Sequence, residues 1–346
     1  MKLKNNIIGS WFIIIAIFSL FLGLVFGILG GLQHLYPNLL KDTLSFQKMR
    51  PLHTYLSINW IFTAATGIIY YYLPEVSGRK IYSEKLDSWN LLPKHPDWST
   101  GIHDYWKVGE KAAAERLTHF VKYSINDYEK GRDIPSMDST SFLSPYLHFG
   151  EISPRQIYQH VKNHPKKDKF LSELGWREFS HYQLYHYPEL PEQPWQKEFA
   201  RFPWGTTDDF LKRWQKGETG YPIVDAGMRE LNTTGYMHNR VRMITASFLI
   251  KHLQIDWKWG EAYFAEKLMD FDLALNNGNW QWVAGTGVDA SPSFRVFNPY
   301  LQQEKFDKHF KYIKKWIPEF NTSSYPKPMV EHETARNEYL AKLKKK

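Results

Sequence analysis

The chain of 346 residues has no cysteine. That absence excludes a disulfide scaffold, a thiolate zinc site, an iron–sulfur cluster and a cysteine nucleophile, and leaves histidine and carboxylate to hold any metal. The 14 histidines are not clustered, so no metal site is expected. Alternating apolar and polar runs that would read as half-buried strands are few, and there is no internal repeat. Acidic residues are in the minority, 36 against 44 Lys+Arg, for a formal charge of +8 and a pI near 9.2. An anionic partner such as nucleic acid or an acidic membrane surface is favoured, although net charge bears on association and not on fold. Aromatic residues, by contrast, are abundant: 16% of the chain, with 14 Trp.

Residues 7–32, IIGSWFIIIAIFSLFLGLVFGILGGL, carry no charged side chain, although the mean hydropathy of the whole chain is −0.49. Roughly 20 apolar residues span a bilayer's hydrocarbon core, and a signal-peptide core is shorter, so a transmembrane helix is expected here. A second uncharged run, 54–73, ends in Tyr70, Tyr71 and Tyr72, where an interfacial aromatic belt would sit; a buried helix of a soluble protein has the same look. Residues 1–78 carry a net +3, from Lys2, Lys4, Lys41, Lys48 and Arg50 against Asp42 and Glu75, and the rest carries +5. The short loop is as basic as the N-terminal tail, so the positive-inside rule sets no orientation. Two spans would place both ends on one side.

From about residue 83 the texture becomes charged and amphipathic, with Trp, Tyr and Phe at helical spacing, and the spacing predicts an all-α fold. Helices are expected over 110–130, 154–162, 168–185, 207–216, 222–233, 239–254, 259–276 and 304–316, joined by Pro- and Gly-bearing turns. The expected organisation is a two-helix membrane-type segment over 1–78, a helical domain over 83–330, and a charged, solvated tail over 331–346.

Three segments carry chemistry. In FLSELGWREF, 170–179, Glu173, Trp176 and Arg177 share one helical face, an arrangement also made by a surface ion pair beside a core Trp. In GYPIVDAGMRELNTTGYMHNRVRMITASFLI, 220–250, Asn239, Arg240, Arg242 and Met243 follow a Gly-containing turn; an amide and two guanidiniums near a helix start suit phosphate or base-edge contacts. In MDFDLALNNGNWQWVAGTGVDASPSFRVFNP, 269–299, Asp272, Asn276 and Trp280 are spaced by four. Asp270 and Asp272 are two apart and do not face each other on a helix, which argues against a glycosidase-type acid and base.

Together with YEKGRD (128–133), TSFLSPYLHFGEISPRQ (140–156) and DWKWGEAYF (256–264), these segments resemble, in order, the C-terminal helical FAD-binding domain of the DNA photolyase and cryptochrome family. The resemblance covers roughly 83–330. MHNRVRM, with Met243, is most similar to the class I enzymes for cyclobutane pyrimidine dimers, whereas (6-4) photolyases and animal cryptochromes carry a His-rich version. The resemblance implies that Tyr128, Thr140, Ser141, Phe142, Leu143, Ser144 and Arg177 hold the phosphates and ribitol of FAD, with Phe170 beside the flavin. It implies that Arg242 and Asp270 form an ion pair near the ring, followed by Phe271, that Asp272 accepts from the ring, and that Asn276 faces its N5. Trp280, Trp257 and Trp204 match an electron relay. Trp176 and Trp282 would wall a pocket for the flipped dimer, Glu173 and Asn239 would hydrogen-bond it beside Met243, and Arg132, Arg240 and Gln302 would contact the DNA backbone. The implied activity is light-driven repair of damaged DNA by reduced FAD; the alternative is a flavin photoreceptor without repair.

Family members normally begin with an α/β domain that binds an antenna pigment. The first 82 residues have no βαβ alternation, so no antenna chromophore is expected. Instead, RPLHTYLSINWIFTAATGIIYYYLPE, 50–75, is similar to the start of the catalytic subunit of haem–copper oxidases and nitric oxide reductases, where the residue matching His53 is a haem ligand. A second haem ligand would have to come from a later helix, so an orphan His at a membrane interface, in a fused or truncated gene product, is the simpler account. The expected location is the cytoplasmic side of a membrane, tethered through residues 7–73.

Overall fold

The computed structural model describes residues 7–40, 43–77, 85–91, 99–205 and 208–345. They divide into two compact units, Met1–Leu92 and Pro93–Lys346. No β-strand occurs among the described residues.

The first unit is a hairpin of α1 (Ile7–Leu35) and α2 (Phe46–Ser77). Small residues let the two backbones close up: a Cβ on Gly9 would stand 2.9 Å from the Tyr71 amide nitrogen, and one on Gly67 would stand 2.8 Å from the Ile13 side chain. Polar groups that apolar surroundings would leave unsatisfied pair across the hairpin. Asn59 Nδ2 donates to Ser19 Oγ at 3.1 Å, and His53 Nδ1 lies 2.7 Å from the Gly23 carbonyl. Among the described residues only α1, over Gly9–Leu35, is long and apolar enough to cross a membrane. The second span expected over 54–73 is helical but falls short, because Thr54, Ser57, Asn59, Thr63 and Thr66 dilute its apolar run.

The second unit is all-α. It begins with α3 (Thr100–Tyr105) and α4 (Glu110–His119), which runs on into a π-helical turn, Phe120–Ser124, before the single turn α5 (Tyr128–Gly131). The one helix expected over 110–130 is thus three pieces. Then come α6 (Ser144–His148), α7 (Pro154–Val161), α8 (Asp168–His186), α9 (Asp208–Lys216), α10 (Pro222–Thr234) and α11 (Asn239–Lys251). Local signals set these ends. Ser153 and Gln156 form a capping box ahead of α7, and α10 stops at Gly235, whose φ of +68° is left-handed.

The helix expected over 259–276 is two, α12 (Trp257–Lys267) and α13 (Leu273–Ala284). The chain breaks because Asp272 Oδ1 accepts from the Leu275 amide at 3.1 Å as an N-cap. Likewise 304–316 divides into α14 (Pro299–Phe306) and α15 (Lys311–Trp316), where the Asp307 carboxylate takes the Tyr312 and Ile313 amides. The charged tail is not a free end: α16 (His332–Lys344) buries Tyr339 against Phe199 and Phe202.

Besides that small group, two larger apolar clusters hold the unit. One centres on α10 and α11, with Ile223, Val224, Met228, Val241 and Leu249 fully buried. The other gathers α4 to α8 around Phe120, Leu143, Ile157, Val161 and Phe170. Gly260 is required where the Trp280 indole lies on α12, since a Cβ there would collide with the ring.

Candidate cofactor and lesion site

Two cavities open between α8, α11, α13 and the Thr140–Ser144 segment. The inner, about 230 Å³, is lined by Ser144, Arg177, Arg242, Asp270, Asp272 and Asn276, with Phe271 and Trp280. The outer, about 550 Å³, is lined by Tyr128, Arg132, Thr140, Ser141, Phe142, Glu173, Trp176 and Trp282. Ser144, Arg177, Asn239 and Met243 line both, so the two communicate.

The inner wall is anchored by Asp270, whose side chain is 4% exposed. Arg242 Nη2 donates to both of its oxygens, at 2.8 and 3.0 Å, and Ser144 Oγ donates to Oδ2 at 2.6 Å. Burial alone would lower the Arg242 guanidinium's pKa; the Asp270 charge and hydrogen bond outweigh it and raise it. Asp272 lies 3.3 Å from Arg177 Nη2 and 3.1 Å from His181 Nε2 while it caps α13. Asn276 donates through Nδ2 to the Glu261 carbonyl at 3.1 Å, which leaves its Oδ1 as an acceptor for the cavity it lines. Glu261 itself is pushed up to about 7 by burial, against a hydrogen bond from Asn277.

At the outer mouth Trp176 is 48% exposed and Trp282 half-buried. Glu173 pairs with Arg132 and, at 3.2 Å, with Lys169, so in this structure Arg132 is turned to the carboxylate and not to solvent. Tyr128 is pushed up to about 12 by burial and packs edge-on against Phe170, ring centroids 5.4 Å apart.

Other expected residues lie outside the cavity walls. Leu143 and Phe170 belong to the core behind them. Arg240 pairs with Asp133 at 2.8 Å and lies over Phe306; Gln302 stands half-buried on α14. Trp257 is buried at the start of α12, and Trp204 is half-buried against Phe202, centroids 4.5 Å apart. The nearest rings to Trp280 are Phe264 at 5.0 Å and Trp214 at 6.4 Å, so the three expected relay residues are not in mutual ring contact.

Some wall residues carried no motif of their own. Tyr236, Leu275 and Asn279 line both cavities and sit within the quoted segments. Phe179 and Gln183 follow Trp176 by three and seven residues, the helical spacing that would have found them. Gln183 Nε2 is buried and has no partner among the described residues.

The family model for the FAD binding domain of DNA photolyase matches residues 170–324, and that for cytochrome c and quinol oxidase polypeptide I matches 7–92. A deoxyribodipyrimidine photo-lyase of Agrobacterium fabrum is 45% identical over 290 residues, 75% of this chain and 60% of that protein. Its namesake in Escherichia coli is 44% identical, covering 68% and 56%. The crystal structure of a bacterial class III photolyase from Agrobacterium tumefaciens superposes with a TM-score of 0.73 at 44% identity, over 77% of this chain and 62% of that one. An archaeal photolyase from Sulfolobus tokodaii, solved with two FAD molecules, gives 0.64 at 40%, over 70% and 57%. The chain therefore spans about three fifths of these relatives, and the class I expectation is not carried by them. Fold and sequence together place the helical unit in the photolyase family, with the family's FAD-binding domain matched over residues 170–324.

Proposed function

We propose that this chain repairs cyclobutane pyrimidine dimers in DNA under light, using reduced FAD. One observation carries the reading: two communicating cavities, with a buried Arg242–Asp270 pair at the inner end and two tryptophans at the outer mouth. The walls suit FAD. An inner chamber with an acceptor at Asn276 and an outer one with hydroxyls, a guanidinium and the unpartnered Gln183 amide match a flat ring joined to a polar pyrophosphate and a base. When bound, reduced FAD supplies the photoexcited electron that opens the cyclobutane ring.

The chain's own residues do the rest. Arg177 and the Thr140–Ser144 hydroxyls and amides neutralise and position the phosphates. Arg242 and Asp270 fix charge beside the ring. Trp176 and Trp282 stack the flipped lesion, which leaves the helix at reduced cost because a damaged step is poorly stacked. Glu173, paired with two cations, acts as an acceptor for a pyrimidine N–H, with Asn239 beside it. Trp280, Trp257 and Trp204 pass electrons inward to reduce the resting cofactor. Tethering by α1 belongs to the same proposal; recovery of the full chain from cells in the soluble fraction would count against it.

Illumination of the FAD-loaded, chemically reduced protein with a thymine-dimer oligonucleotide is expected to remove dimers. Persistence of every dimer would sink the repair reading and leave the photoreceptor alternative. Trp204→Phe is expected to slow photoreduction of oxidised FAD while sparing repair by prereduced protein, checked by flavin absorbance and dimer loss in parallel.

A further inference from the structure

A third cavity of the helical unit, about 610 Å³, shares Phe142 and Tyr236 with the outer cofactor cavity, so two side chains separate them. Five more aromatic side chains stand in its walls, Tyr105, Trp106, Tyr146, Tyr312 and Trp316, among polar and charged ones. Three carboxylates line it: Glu115 is paired with Lys111 at 4.0 Å and Asp138 with Arg116 at 2.9 Å, whereas Glu230 has no cation at ion-pair distance among the described residues. Glu230 is 4% exposed, and its Oε2 accepts from the His238 amide at 3.1 Å and from Tyr312 Oη at 2.6 Å. Among the described residues, Oε1 has no protein donor. Cations line another part of the wall. Arg116 is engaged by Asp138 at 2.9 Å, whereas Lys107 and Lys315 have no carboxylate partner among the described residues.

These groups discriminate between ligand classes. A purely apolar ligand would cover the Glu230 carboxylate and offer its second oxygen no donor, which is costly. A cationic ligand would meet the protein's own cations at three of the rings: Lys315 Nζ lies 4.7 Å from the Trp316 centroid and 5.6 Å from that of Tyr105, and Arg116 lies 4.7 Å over Phe142, while Trp106, Tyr146 and Tyr312 carry none. What fits is a flat ring bearing an amine donor at one edge and an anion on an arm.

We infer that this cavity binds a purine nucleotide, with its ring between the aromatic walls, its exocyclic amine donating to Glu230 Oε1, and its phosphate held by Lys107 and Lys315. Aromatic faces accept either purine, and lysine serves phosphate as a compact point charge. The site lies outside the cofactor cavities and does not require repair activity.

Calorimetric titration of FAD-saturated protein at about pH 8, where the Glu230 carboxyl, pushed up to about 7 by burial, is ionised, tests this, with guanosine monophosphate, adenosine monophosphate and guanosine as probes. The two nucleotides represent free nucleotide; a single-stranded purine oligonucleotide forms a further arm for the same chemistry within a strand. Saturable binding of either source is expected, with guanosine weaker by about tenfold or more for want of the phosphate contact. Lys315→Glu, at an exposed position, should weaken nucleotide by a similar factor and leave guanosine unchanged. Glu230→Gln should weaken guanosine and nucleotide alike. Absence of saturable binding up to about 1 mM, a range that includes weak sites, would overturn the inference. So would equal affinity in the wild type and Lys315→Glu, or release of FAD in proportion to nucleotide taken up.

Discussion

Asp270 holds three groups that lie far apart in sequence: its own loop, Ser144 and Arg242. Asp270→Ala would leave the Arg242 guanidinium half-buried and unpaired. Breaking a buried pair from one side costs about 3–5 kcal/mol, so a fall of that order in urea denaturation is expected, together with loss of bound FAD. Motifs pointed to both partners, because an Asp and an Arg among Gly, Asn and Trp stand out. They did not show the Ser144 bond across 126 residues, or that Glu173 takes Arg132 for itself. Such pairings are made by the fold and have no local signal.

Protons trapped at single residues give a further test. Burial pushes Glu230 and Glu261 up to about 7 from an ordinary 4.5. The folded state then keeps a proton that the unfolded state releases, and stability falls as pH rises from about 4.5 to 7, by up to about 3 kcal/mol per group. His238, lowered to about 4 by burial, acts oppositely: below 6.5 only the unfolded state gains its proton, so its share is lost as pH falls toward 4. Glu261→Gln removes one term. Its stability relative to wild type, followed by thermal melts, is expected to decline as pH drops from 7 to 4.5, because the wild type gains on the way down and the variant does not.

At the scale of elements, α7, α8, α10 and α11 were legible because their ends are written locally. A Ser–Gln capping box precedes α7, Pro opens α7 and α10, and a left-handed Gly closes α10. The long helix expected over 259–276 failed because Leu268 and Phe271 continue the apolar rhythm through the break, while the cap that makes it, Asp272, reads equally as a helix-surface residue. The tail failed differently. Its charges suggested solvent, yet Tyr339 is 1% exposed, its hydroxyl donates to the Ser293 carbonyl at 3.2 Å, and His332 meets His252 in the interior at 2.8 Å. Truncation after Val330 exposes Phe199 and Phe202 and removes the brace on the Ser293 loop. A loss of at least about 3 kcal/mol is expected, the value of one buried aromatic, and a lowered melting temperature would show it.

For the whole molecule, the chain separates into a two-helix hairpin and a helical body with its own core. A domain with its own core can fold alone, so residues 93–346 produced separately are expected to melt cooperatively and to retain FAD when gel-filtered. A molten fragment without flavin would show that the first 92 residues are structural.

Within that body, Phe142 is a party wall between two chambers, and it stands with φ at +52°, a left-handed conformation that L side chains avoid. Two requirements therefore meet at this position. Glycine would relax the backbone but open one chamber to the other; asparagine tolerates the dihedral but gives Arg116 no ring to lie on. Phe142 supplies the ring at the cost of that dihedral, so the partition between the chambers rests on a strained stretch of backbone.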